Sequence, residues 1–259
     1  MISVKKKKIQ FALKVGEILL KNGAETNRVE RIVKDILIAK NVAEVEVFAT
    51  PTVIMLNVRE GELDDTITLI RRIYDRGIRL DKVALVWKLA LSFIAGDQSD
   101  DQFFDELVEI INLAPYIFLV RILATGLMSA FFTIMFQGNQ ADFWVAAVVG
   151  GMLGVIDYGF RQLPLSDFII KLLDSSLITV VTLLLSMEVT TLHIDKVIFA
   201  AIMPLVPGVA ITNAVLDIIR GDLLAGLSRG IEAVFVAVSI ATGVGITLKL
   251  GALLGVVYL

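Results

Sequence analysis

Cysteine is absent from the 259 residues, which excludes disulfides, thiolate zinc sites, iron–sulfur clusters and thiol nucleophiles. That absence carries no information about compartment. Histidine occurs once, at His193, and proline only five times. Charge is scarce too: 20% of residues are charged against 56% hydrophobic, where a soluble domain is roughly 25% charged and roughly 45–50% apolar. Mean hydropathy is +0.80 and the pI is about 5.3. A net charge of −3 leaves no basic field for nucleic acid or anionic lipid. Disorder, collagen, disulfide-stapled scaffolds and basic DNA-binding surfaces are all excluded. The composition is that of a membrane protein.

Charge is also unevenly spread. Residues 1–115 carry 17 of the 24 Lys and Arg and 18 of the 27 Asp and Glu. The chain therefore divides into a water-compatible front, 1–114, and a membrane-embedded back, 115–259. The basic start Lys5-Lys6-Lys7-Lys8 is followed by Lys14 and Glu17, where a cleaved signal would be apolar. An uncleaved amphipathic helix is expected there, ending near Gly23. A second helix, capped by Asn22 or Gly23, carries Glu25 in its first turn and a stripe of Val29, Ile32, Val33 and Ile36. Segments 45–49 and 52–58 read as strands separated by Pro51, 59–62 as a turn and 66–70 as a third strand. Amphipathic helices are expected over 81–94 and 99–112. The front is thus a small α+β domain.

From Pro115 onward, spans are expected near 116–136, 142–160, 167–187, 196–218 and 231–250, each about the ~20 residues a crossing helix needs. The fold class is an α-helical integral membrane protein with about five transmembrane helices and an N-terminal cytoplasmic α+β domain. Arg161 and Lys171 flank the second connection, and Arg220 and Arg229 the fourth. The positive-inside rule then places the amino terminus in the cytoplasm and the carboxyl terminus outside the plasma membrane.

The sequence contains no P-loop, H-E-x-x-H or G-x-G-x-x-G motif. His193, in an outer link beside Asp195, reads as an ordinary interfacial residue. Charges within spans carry more weight, because each must face a partner, water or the bundle interior. Arg121 and Asp174 lie about two turns into their spans and are read as functional or pairing groups, with Ser175 and Ser176 beside the aspartate. Asp157, Asp217 and Glu232 sit at span ends and read as markers of the headgroup boundary. Pro204, Pro207 and Gly208 break the fourth span near its midpoint, which frees backbone groups at membrane depth. With Asn213 they complete the candidate substrate-binding set. The glycine pairs 150/154 and 251/255 predict close helix contact.

The run from Gly23 through Glu25, Thr26, Arg28 and Glu30, then Thr50-Pro51-Thr52, Leu205-Val206-Pro207-Gly208, Gly221-Asp222 and Arg229, resembles the threonine/serine exporter family. Within it the chain is most similar to the larger, YjjP-like component of a two-part branch. Fused members continue into a second set of spans, whereas this sequence stops at Leu259. The resemblance thus implies a separate small membrane subunit, with a higher oligomer also possible. It further implies secondary, ion-driven export of a small molecule across the bilayer, with neither cofactor, metal nor catalytic residue. Threonine or serine is favoured over succinate because the back half has few cations to hold a dicarboxylate. Two other readings stand beside this one: a membrane-anchored sensor or assembly protein, and a front domain with hydrolase activity.

Overall fold

A computed structural model describes residues 2–42, 44–60 and 65–255. The chain divides into two compact units, one comprising Met1–Ala114 with Gly208–Ile231, the other Pro115–Pro207 with Glu232–Leu259.

The first unit opens with helix α1 (Ile2–Lys21) and helix α2 (Thr26–Ala39). Gly23, at φ +92°, turns the chain into the left-handed region between them. Ala24 N–H then donates to Leu19 O and Gly23 N–H to Leu20 O, closing the carbonyls that α1 leaves exposed. Asn22 and Gly23 thus end α1 and do not cap α2. The residue at the α2 N-cap is Glu25, whose side chain makes no capping bond. Val29, Ile32, Val33, Ile36 and Leu37 are buried on one stripe of α2, the i, i+3, i+4, i+7, i+8 pattern of a helix laid on a core.

That core is closed by an antiparallel sheet of β1 (Glu44–Thr50), β2 (Val53–Glu60) and β3 (Asp65–Arg72), in that order. Thr50 pairs with Val53 across the two-residue turn Pro51-Thr52. Alternation puts Val45 and Ala49 of β1, with Ile54, Leu56 and Val58 of β2, on the buried face. Arg59 and Glu60 belong to β2, where a turn was expected, because their partners Thr66 and Asp65 continue the ladder. Gly61 and Glu62, the rest of that expected turn, lie outside the described residues. Helices α3 (Leu80–Ala95) and α4 (Asp100–Ile111) complete the layer. Ser99 and Gln102 cap α4 reciprocally.

In the second unit, α5 (Phe118–Met135), α6 (Gln140–Phe160) and α7 (Asp167–Glu188) follow the expected spans within two residues. Small residues set the α5–α6 approach: a Cβ on Gly150 would lie 2.2 Å from Ser129 Oγ, and one on Gly154 2.7 Å from Thr125 Oγ1. Gly255 makes no such contact. It lies beyond the last helix at φ +72°, with open space around it.

The fourth span is broken where the prolines fall. Helix α8 (Ile194–Ile202) tightens into a 3₁₀ turn at Met203–Leu205, and Val206 is extended, as a residue before proline prefers. Helix α9 (Gly208–Ile219) then belongs to the first unit. Gly221, at φ +92°, ends it with the same pair of bonds as at α1: Asp222 N–H to Asp217 O and Gly221 N–H to Ile218 O. The last helix, α10 (Leu223–Leu253), begins eight residues before the expected span and has 31 residues. At 1.5 Å per residue it is roughly 46 Å long, more than the ~30 Å hydrocarbon layer requires. Arg229 therefore lies inside a helix and not in a connection. Among the described residues four helices (α5, α6, α7 and α10) are long and apolar enough to cross a bilayer. The broken pair makes a fifth when taken together.

Candidate functional site

Two carboxylates of the second unit lie close to the same lysine but differ in how they are satisfied. Asp157, near the end of α6, receives Arg161 Nε at 2.8 Å and Lys171 Nζ at 3.0 Å. Arg121 Nη2 approaches it from α5 at 3.2 Å. Asp174, one turn beyond Lys171 on α7, is fully buried and receives no hydrogen bond on either oxygen. Lys171 Nζ stands 3.7 Å from Asp174 Oδ2, too far for a hydrogen bond. Buried polar atoms are nearly always paired. Asp174 is thus held by an ion pair with Lys171 and by no hydrogen bond.

On a neighbouring face of α7 runs a separate polar stripe. Ser175, Thr179 and Thr182 are all fully buried at spacings of four and three, on one helical face. Each hydroxyl donates to its own helix: Ser175 to Leu172 O, Thr179 to Ser175 O and Thr182 to Ile178 O. Their oxygens keep acceptor capacity toward the bundle interior. Ser175 also meets α10 closely, where a Cβ on Gly243 would lie 2.2 Å from its Oγ.

At the other end of α6, roughly 22 Å from Asp157 by helix rise, buried Asp142 is fully engaged. It accepts from Asn139 N–H at 2.7 Å and from His193 N–H at 2.8 Å, and pairs with His193 Nδ1 at 2.8 Å. Lys196 ties the α5–α6 connection to α8 through Gln137 O. These contacts fasten loops together. Among the described residues no group of three His, Asp or Glu side chains is placed to hold a metal.

The first unit holds a second polar cluster at the start of α2. Asp217 of α9, fully buried, accepts from Thr26 N–H and its hydroxyl and pairs with Arg229 Nε of α10 at 3.3 Å. Arg229 Nη2 donates to Ala24 O at 2.7 Å, Arg220 pairs with Glu25, and Asn213 donates to Gly23 O at 2.9 Å. Glu30 accepts from Ala49 N–H at 2.6 Å. Burial pushes the Glu30 carboxyl above its ordinary value, and the Asp222 and Asp217 carboxylates add to the rise against the Ala49 bond.

The sequence matches the family described as "Putative threonine/serine exporter" (ThrE) over residues 10–251. The chain belongs to this family. It is 22% identical over 255 residues to the "Probable threonine/serine exporter" of Mycobacterium tuberculosis (strain ATCC 25618 / H37Rv), covering 94% of this chain and 46% of that protein. The chain thus spans about half the length of that curated relative. No solved structure matches it. Within the exporter family this is a multi-pass membrane protein.

The binding residues expected from the sequence fall into both units. Arg121, Asp174 and Ser175 lie in the second, with Arg121 bonded to Asp157. Pro204 sits in the 3₁₀ turn of the fourth span and Pro207 in the break itself, while Gly208 and Asn213 belong to the first unit. The motif residues Gly23, Glu25, Thr26, Asp222 and Arg229 converge with Asp217 where α2, α9 and α10 meet. Glu30 lies one turn along α2, and Arg28 pairs with Glu25 at 3.7 Å while stacking over Trp87. Sequence reasoning took Asp157, Asp217 and Glu232 for boundary residues and used Lys171 only as a flank of the second connection. Charges three or four positions apart link Lys171 to Asp174 and Asp157 to Arg161. That spacing was a usable signal.

Proposed function

We propose that the protein carries a small zwitterionic amino acid, serine or threonine, out of the cell by exchange for a proton, with Asp174 as the shared site. The reading rests on one observation: Asp174 is buried in a membrane helix with no hydrogen bond to either oxygen. A carboxylate so placed accepts an ammonium group or a proton but not both at once. Exclusive occupancy of this kind is the condition for antiport. Arg121 commits Nη2 to Asp157, and its other guanidinium donors suit the substrate carboxylate. The hydroxyls of Ser175, Thr179 and Thr182 add a polar stripe on the adjacent face of α7. A dicarboxylate fits less well, because the three nearby cations already converge on Asp157.

In this reading the front domain and the connection bearing Arg161 and Lys171 face the cytoplasm. A further membrane segment completes the path. Its support is that the mycobacterial relative has about as much sequence again outside the matched region. The polar cluster of Thr26, Asp217 and Arg229 serves folding and not chemistry, since each of these groups is engaged with its neighbours.

The test is flux in membrane vesicles from cells that make the protein, loaded in turn with labelled serine, threonine and succinate. A proton gradient directed opposite to export should drive serine or threonine and leave succinate behind. Proton-driven succinate movement without serine or threonine would overturn the reading.

A further inference from the structure

We propose that the groove between α2 and the outer edge of β1 is a second ligand site, made wholly by the first unit, for a free zwitterionic amino acid. The ligand class comes from the residues of the groove. Its exposure to the cytoplasmic pool rests on the proposed orientation.

Helix α2 carries Asn27, Glu30, Arg31 and Lys34 at i, i+3, i+4 and i+7, on one face. That face runs along β1, because the Glu30 carboxylate accepts Ala49 N–H at 2.6 Å. The Ala49 N–H therefore points away from β2. Direction alternates along an antiparallel ladder, so the peptide groups of Val47 and Val45 point to the same side. Among the described residues no side chain or loop bonds to those of Val47. The groove has a volume of about 630 Å³, within the roughly 300–1,000 Å³ of small-molecule sites.

The sheet supplies the rest of the lining. Glu46, Asn57 and Thr68 are cross-strand partners and form one polar row, with Phe48 and Met55 in the next row. Arg31 and Lys34 bring two cations, and Glu30 and Glu46 two anions. Among the described residues none of these four makes an ion pair. Charges elsewhere in the unit do pair: Glu44, two positions from Glu46, takes Arg59, and Lys40 takes Asp100.

A free amino acid offers both complements at once. Its carboxylate suits Arg31, Lys34 and the Val47 N–H. Its ammonium suits Glu46, the Val47 C=O and the second oxygen of Glu30, since only Oε1 is used by Ala49. Asn57 and Thr68 can bond a side-chain hydroxyl. A dicarboxylate would meet Glu30 and Glu46 with like charge. An added peptide strand needs a longer free edge, because Glu30 already occupies Ala49 and only Val45 and Val47 remain, ~7 Å apart.

Hydrogen exchange of the purified full chain, followed over residues 44–50 with serine, threonine or succinate added, tests the site. At a ligand concentration ten times the Kd, serine or threonine should slow exchange of the Val47 amide by about tenfold, and succinate should not. The protection should persist in Asp174→Asn, which lacks the proposed transport site. Arg31→Met and Lys34→Met change exposed side chains, should melt as wild type, and should each weaken binding by about tenfold or more. Absence of protection overturns the proposal, as does protection by succinate alone. Slow exchange of Val47 before any ligand is added also overturns it, since a chain segment then covers the edge. So does protection that disappears in Asp174→Asn but survives in both cation variants. Normal export by Asp174→Asn with protection intact defeats only the transport reading. Loss of export without protection in the wild type defeats only the groove.

Discussion

Thr26 and Asp217, separated by 191 positions in sequence, share two hydrogen bonds: Thr26 N–H to Oδ1 at 3.3 Å and the Thr26 hydroxyl to Oδ2 at 3.2 Å. Asp217 supplies from α9 the cap that Glu25 does not give α2. It satisfies a buried N–H that the helix leaves without an intrahelical partner and places a negative group at the positive end of the helix. Arg229 closes the arrangement by pairing with Asp217 and donating to Ala24 O. The exporter motif of α2 and the Asp222–Arg229 motif are thereby parts of one structural knot.

Removing the carboxylate should cost more than removing the hydroxyl. Asp217→Ala leaves a buried arginine without that partner, a change that costs about 3–5 kcal/mol. Thr26→Val loses the hydroxyl's bond to Asp217 and the longer one it accepts from Arg229 Nη2, together worth about 1–2 kcal/mol. Thermal unfolding of purified protein should show a clear Tm drop for the first and a small one for the second. An unchanged Tm for Asp217→Ala would dissolve the knot as a source of stability.

Gly243 and Gly245 lie on the same helix and should respond oppositely to one methyl group. A Cβ at Gly243 would fall 2.2 Å from Ser175 Oγ and 2.5 Å from Leu172 O, whereas nothing lies within 4 Å of one at Gly245. Gly243→Ala must push α10 off α7, at a cost of about 1–3 kcal/mol, and should impair export. Gly245→Ala should behave as wild type in both melting and flux. Equal behaviour of the two variants would contradict the close α7–α10 contact.

Glu30 ties stability to pH. Its folded carboxyl titrates above the ordinary value of 4.5 because of burial and the neighbouring Asp222 and Asp217. Stability from this group is therefore full below the ordinary glutamate range and lost as pH rises through the raised value. Glu30→Gln can still accept from Ala49 N–H but carries no charge. The variant should melt above wild type at neutral pH, and the gap should close near about pH 4. A gap that is constant with pH would contradict the shift.

The α2 stripe was legible because burial demands a 3.6-residue period, and Val29, Ile32, Val33 and Ile36 keep it. The hairpin was legible from Pro51 between two β-branched runs. Charges misled at the last span: Arg229 and Glu232 looked like a boundary, yet α10 begins at Leu223. The arginine is buried by Asp217 and Ala24, partners that no local window contains. Asp157 was undervalued for the same reason, since Arg121 lies 36 positions away. The broken span was visible in Pro204 and Pro207, although Asn213 beyond it belongs to the other unit.

The proposed orientation can be checked without background, because the chain has no cysteine of its own. Gln162→Cys, between α6 and α7, should be labelled by an impermeant maleimide only from the cytoplasmic side. Thr191→Cys, between α7 and α8, should be labelled only from outside. The reverse pattern would invert the protein, and labelling of both from one side would remove α7 as a crossing.

Asp174 carries the central claim, and Asp174→Asn tests it most directly. The substitution keeps the shape of the side chain and removes the charge that holds an ammonium group or a proton. Serine and threonine efflux from vesicles, normalised to folded protein, should fall to near background. The variant should still insert; any Tm change reports loss of the 3.7 Å ion pair with Lys171 and is separated from flux by the normalisation. Proton-driven efflux at the wild-type rate would contradict the account and leave Asp174 a buried structural carboxylate.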